Sequence, residues 1–205
     1  MKGLLAATPA AAQRFLESAL KQAPHDARVL VALWAVYTSQ GAHEKALGVA
    51  SAVPRDSPRS RQARFSAALS LIDLGRLQGA FQELSTLYTE RPAAALSNAL
   101  GVVQLRRGPT PGTALPAFYF KRAAGEDPGN PDYLFNLGYA SALAHDAEAA
   151  LLWLREDVRY EARNGDAHLV MSSVLAGGGR LVEAQRDLDL ARLLGARAAG
   201  SAPAP

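Results

Sequence analysis

Apolar residues recur along this chain at helical spacing, in short runs that a glycine or proline interrupts every fifteen or so positions. Phe15, Leu16, Ala19 and Leu20 form one such run, opened by Thr8-Pro9 as a cap and first helical residue and closed by Pro24. The interruptions keep a period. Pro24, Pro58 and Pro92 stand 34 residues apart, and Ala46 to Ala80 and Ala150 to Ala184 repeat that interval. A unit of this length cannot bury its own apolar face, so the period predicts helix pairs stacked on their neighbours. No stretch reads as a strand.

In register, the chain divides into a half-unit at 1–26, units at 27–60, 61–93, 94–130, 131–164 and 165–198, and a tail. The expected architecture is a single all-α solenoid over 1–199, with 200–205 disordered. Each unit places a turn near its fifteenth position, at Gly41, Gly75, Gly108, His145 and Gly179. Four of the five are the residue that most easily takes the positive φ of a helix C-cap. Small residues at the eighth position (Ala68, Gly101, Gly138, Ser172) and the twentieth (Ala46, Ala80, Ala150, Ala184) let the two helices of a pair approach closely. The run 109–113 carries prolines and a glycine and is read as an inserted loop.

The units resemble tetratricopeptide repeats. The resemblance rests on Leu30, Leu33, Tyr37, Gly41, Ala46 and Pro58 in the first unit, and on Leu134-Phe135-Asn136-Leu137-Gly138 with Ala150 and Leu154 in the fourth. It implies a right-handed superhelix whose first helices line a groove. It further implies a non-enzymatic scaffold or adaptor that binds a partner segment there through Phe65, Leu69, Asn98, Val102, Phe135, Asn136, Tyr139 and Leu169. Phe65 and Phe135 have a second reading, as packing between neighbouring first helices. The clamp of Lys, Arg and Asn by which some family members hold terminal carboxylates has no counterpart here, because Val31, Ala35, Ser66, Ala95 and Ala99 stand at those positions. A docking or regulatory segment of a larger enzyme or secretion machine is the alternative role, because both ends of the array look incomplete. Self-association through those ends is a further expectation, and a small-molecule or nucleic-acid sensor a third reading.

Several residues depart from the pattern. Trp34 stands where a small residue is usual, and its indole is expected either to loosen the first unit or to turn toward the half-unit before it. Arg64, Ser97, Gln104, Ser141, Asp157 and His168 occupy positions that are ordinarily apolar. Glu156-Asp157 is read as a charged pair on a solvated face.

Charge and composition add mostly exclusions. With 22 Lys and Arg against 19 Asp and Glu, the net charge of +3 gives no field suited to nucleic acid, and none is expected as a partner. The basic cluster Arg55, Arg59, Arg61 and Arg64 lacks interleaved aromatics and reads as a solvated junction. No cysteine is present, and His25, His43, His145 and His168 are scattered, so neither a metal nor another cofactor is expected. Gly177-Gly178-Gly179 reads as a turn rather than a phosphate cradle. Residues 1–12 imitate a secretory signal, but the helical reading is preferred and no membrane span is expected. The expected compartment is the cytoplasm, or the periplasm or exterior if the chain belongs to a longer precursor.

Overall fold

The computed structural model describes residues 8–108 and 115–196, all of whose regular structure is α-helix. The expected loop at 109–113 and the tail at 200–205 lie outside the described residues. Contacts divide the chain into two compact units, Met1–Arg91 and Pro92–Pro205.

The first unit contains α1 (Pro9–Gln22), α2 (Ala27–Ser39), α3 (His43–Ser51), α4 (Ser60–Asp73) and α5 (Leu77–Glu90). Thr8 opens α1 by accepting the Ala11 amide, and Asp26 opens α2 by accepting that of Arg28. Each helix packs on the next, and α2 also meets α4, so first helices of successive pairs lie side by side. Leu30, Val53 and Ala63 form one core cluster and Leu33, Tyr37 and Ala46 another, with Leu20 and Val49 against both. Tyr37 Oη donates to Glu17 at 2.8 Å, fastening α1 to α2.

The indole of Trp34 does not turn toward the half-unit. It packs on the Leu33 cluster and donates its N–H to Ser70 Oγ of α4 at 2.9 Å, because Ser70 is a buried hydroxyl one pair along. Nor are Arg61 and Arg64 simply solvated. Arg64 reaches Glu83 and Glu90 of α5, while Arg61 donates to the Leu87 and Arg91 carbonyls, so half of the basic cluster closes α4 on α5.

The second unit contains α6 (Ala94–Arg107), α7 (Pro116–Glu126), α8 (Pro131–Leu143), α9 (Ala147–Tyr160), α10 (Gly165–Gly177) and α11 (Leu181–Leu193). They pair in order, and the first helices α6, α8 and α10 again stand side by side. Small residues govern the approach within pairs. A Cβ on Gly101 would fall 2.5 Å from the buried ring of Phe120, and one on Gly138 would fall 2.7 Å from Leu154 Cγ. Ala46, Ala80 and Ala150 are fully buried and Ala184 nearly so, as expected for the twentieth position.

The turns follow the sequence closely. Gly41, Gly75, Gly108 and Gly179 all have positive φ, and His145 takes the same left-handed region at φ 60°. At four of these the next amide returns to the carbonyl five residues back, as Asp146 does to Ser141 at 3.0 Å, closing the helix end in a Schellman motif. Gly195, after α11, adds a fifth turn of this type.

Candidate functional site

The first helices α6, α8 and α10 stand side by side, and α8 carries Phe135, Asn136 and Tyr139, of which Asn136 meets Asn98 of α6. Asn136 Nδ2 donates to Asn98 Oδ1 at 2.9 Å, tying α8 to α6. Both residues are almost fully buried, at 2% and 5% exposure. Among the described residues, Asn136 Oδ1 and Asn98 Nδ2 have no hydrogen-bond partner, yet neither atom is sealed from solvent. A buried amide pair thus keeps one acceptor and one donor unspent at its surface.

Phe135 and Tyr139, one helical turn apart, stack with centroids 6.1 Å apart and planes 17° from parallel. Phe135 is half-buried and also packs on the cluster of Leu151, Leu154, Met171 and Leu175, so its ring belongs partly to the core. Leu169 of α10 is half-buried, whereas Val102 of α6 is fully buried and offers no surface. Phe65 and Leu69 are half-buried on α4 of the first unit.

A cleft of about 300 Å³ opens beside Phe135 and Asn136, at the amino-terminal ends of α8 and α10. Asp132, Glu161 and Asp166 line it, with Arg163 as the one basic residue among the described residues. Asn164 also lines it and serves two elements at once. Its Oδ1 caps α10 by accepting the Ala167 amide at 3.1 Å, while its Nδ2 donates to Asp157 Oδ2 at 2.9 Å.

Asp157 overturns the expectation of a solvated pair. It is fully buried, because Ala150, Leu154 and Asp157 follow at i, i+4 and i+7 on the inward face of α9. Burial pushes its carboxyl up to about 7 against the opposing hydrogen bond from Asn164, and the negative charges of Glu161 and Asp132 add to the rise. Its Oδ1 is buried without a partner among the described residues. Of the other polar departures, Ser141 donates to the Leu137 carbonyl at 2.9 Å and His168 Nδ1 lies 2.8 Å from Asp187 of α11, whereas Ser97 Oγ is buried without a partner among the described residues.

Asn98, Phe135, Asn136 and Tyr139 are legible as candidates in the sequence, whereas Asp132, Glu161 and Asn164 are not, and Asp157 stands out there only as a polar residue at an ordinarily apolar position. The inward spacing of Asp157 was available as a signal. The gathering of the other three around one cleft depends on how α8, α9 and α10 pack. Among the described residues no group of three or more His, Cys, Asp or Glu is placed to hold a metal ion. No described helix is long and apolar enough to cross a membrane.

The model of the tetratricopeptide repeat family matches residues 4–70. None of the curated proteins matches the chain. Among solved structures, the APC/C hetero-tetramer Cut9-Hcn1 aligns with a TM-score of 0.80 and 16% identity over 91% of this chain, which spans only 37% of that one. YrrB, described as a tetratricopeptide repeat protein with an unusual peptide-binding site, aligns at 0.61 and 17% identity, covering 89% of this chain and 93% of its own. MamA from Desulfovibrio magneticus RS-1 aligns at 0.67 and 16% identity, covering 85% and 97%. At such identities the likeness speaks for the fold, whose stacked helix pairs, glycine turns and small-residue contacts agree with the family match in the first unit. The chain is thus similar to the tetratricopeptide repeat family, whose model matches residues 4–70, and its helix pairs share the fold of those solved structures.

Proposed function

We propose that this chain is a non-enzymatic scaffold that holds a segment of another protein on the face of α6, α8 and α10. Tyr139 and the outer part of Phe135 serve as the apolar anchor, and the Asn98–Asn136 pair fixes the register of the bound backbone. The observation that carries this reading is the juxtaposition of a stacked aromatic pair with a buried amide pair that retains a free acceptor and a free donor. An extended segment offers both an amide N–H and a carbonyl, and aromatic anchors supply most of the affinity at such surfaces. A described peptide-binding site in one structural relative, and a multi-subunit assembly in another, support a role in holding polypeptide. Phe65 and Leu69 offer the corresponding, more apolar face in the first unit.

Selection of a random peptide library on the immobilised chain tests this. The enriched peptide is then titrated calorimetrically against wild type, Tyr139→Ala and the double variant Phe135→Ala, Tyr139→Ala, with helicity checked by circular dichroism. A tenfold or greater loss, about 1.4 kcal/mol, is expected for a variant that stays helical. Equal affinities remove this face from the account.

A further inference from the structure

The cleft at the amino-terminal ends of α8 and α10 has a chemistry distinct from the apolar face beside it. Helix amino-termini carry partial positive charge, and acids in the first turn ordinarily do no more than offset it. Asp132 fits that bland role, and Asp166 stands in the equivalent place on α10. Glu161 does not. It is the residue that closes α9, where the helix dipole disfavours an anion, and it is exposed with no ion-pair partner among the described residues. Arg163 lines the same cleft without pairing to Asp132 or Glu161.

A second observation comes from the floor. Asn136 is 2% exposed, lines the cleft, spends its Nδ2 on Asn98, and keeps Oδ1 unpartnered but open. Such an oxygen is free to accept from a donor that enters the cleft. The wall agrees in sign, because the charges of Asp132 and Glu161 reach Asp157 behind Asn164 and oppose its ionisation.

From the carboxylates of Asp132 and Glu161, the open amide oxygen and the adjoining Phe135 ring, we infer that this cleft receives an arginine side chain of the bound segment. This rests on the reading of the neighbouring face as a protein-binding surface. A guanidinium brings five donors in one plane, enough to meet Asp132, Glu161 and Asn136 Oδ1 together, and its flat face stacks on an aromatic ring. A carboxylate placed there meets like charge, and an apolar side chain leaves the amide oxygen unmet.

The test uses N-acetyl-arginine N-methylamide and its neutral isostere N-acetyl-citrulline N-methylamide, each titrated into the ¹⁵N-labelled chain and followed by NMR. The arginine probe is expected to shift the Asn136 side-chain amide and the Gly165 backbone amide, with citrulline binding at least tenfold more weakly. The Asp132→Asn, Glu161→Gln variant changes only surface carboxylates and is expected to abolish that preference, and added salt to reduce it. Equal binding of the two probes, or a preference that survives the double variant, overturns the assignment. The outcomes separate from those of the parent reading. A library peptide that still depends on Tyr139 while arginine and citrulline bind alike removes the cleft alone, whereas an arginine preference that persists when no peptide depends on Tyr139 removes the wider surface and leaves an isolated cation site.

Discussion

Replacing Asp157 with asparagine isolates the titration of one buried carboxyl. The folded chain holds this group protonated up to about pH 7, whereas its ordinary value is 3.8. Between those limits the folded state therefore binds more protons than the unfolded state, and stability falls as pH rises through the window. Each unit of difference is worth about 1.4 kcal/mol, which sets a ceiling on the order of 4 kcal/mol for the whole shift. The substituted carboxamide does not titrate. It can still accept from Asn164 Nδ2, and the fixed cost of burying it is the same at every pH, so it cancels when two pH values are compared. The assay is urea unfolding of wild type and Asp157→Asn at pH 4.5, 6 and 8, followed by circular dichroism at 222 nm. The stability of the variant relative to wild type is expected to rise by about 3 kcal/mol from pH 4.5 to 8. Parallel profiles refute the reasoning, because they mean that Asp157 ionises as easily when folded as when unfolded.

Three further substitutions test the turns and the packing. His145 occupies the left-handed region at φ 60°, so His145→Gly is expected to stabilise the chain by about 1 kcal/mol in urea unfolding, and a loss of stability contradicts the turn geometry. Gly138→Ala sets a Cβ 2.7 Å from Leu154 Cγ and 3.1 Å from the Leu154 backbone nitrogen, and is expected to cost about 1–3 kcal/mol. Gly48→Ala meets nothing within 4 Å inside α3 and is expected to stabilise by up to about 1 kcal/mol, so equal effects of the two alanines contradict the close contact of α8 with α9.

The helix pairs were legible because their determinants are local or periodic. A helix that must reverse within two or three residues needs positive φ, which is why glycines mark the turns and why the period identifies His145 as the exception among them. Close approach of two helices needs a small side chain at a fixed spacing, and Gly138 and Ala150 show it without reference to any other element. Trp34, Arg61, Arg64 and Asp157 were misread for a different reason. Their surroundings are set by partners 7 to 36 positions away, as with Asp157 and Asn164 or Trp34 and Ser70, so local polarity says little about burial. Asp157 beside Glu156 looks like a surface pair, yet successive helical residues point about 100° apart and one of them faces inward. Of the candidate surface, the aromatic step from Phe135 to Tyr139 is visible along a single helix. The Asn98–Asn136 bond joins α6 to α8 across 38 positions and emerges only from packing.

The account stands on the claim that the face of α8 is where this chain meets another polypeptide. Photo-crosslinking tests it most directly: a photoreactive phenylalanine analogue is placed at position 139, or at the 87%-exposed Val182 of α11 as control, and adducts are mapped by mass spectrometry. The account predicts adducts to one defined segment of a partner from position 139, suppressed by excess library-selected peptide, and none to that segment from position 182. The same adducts from both positions, or none from 139 that the peptide suppresses, contradict it.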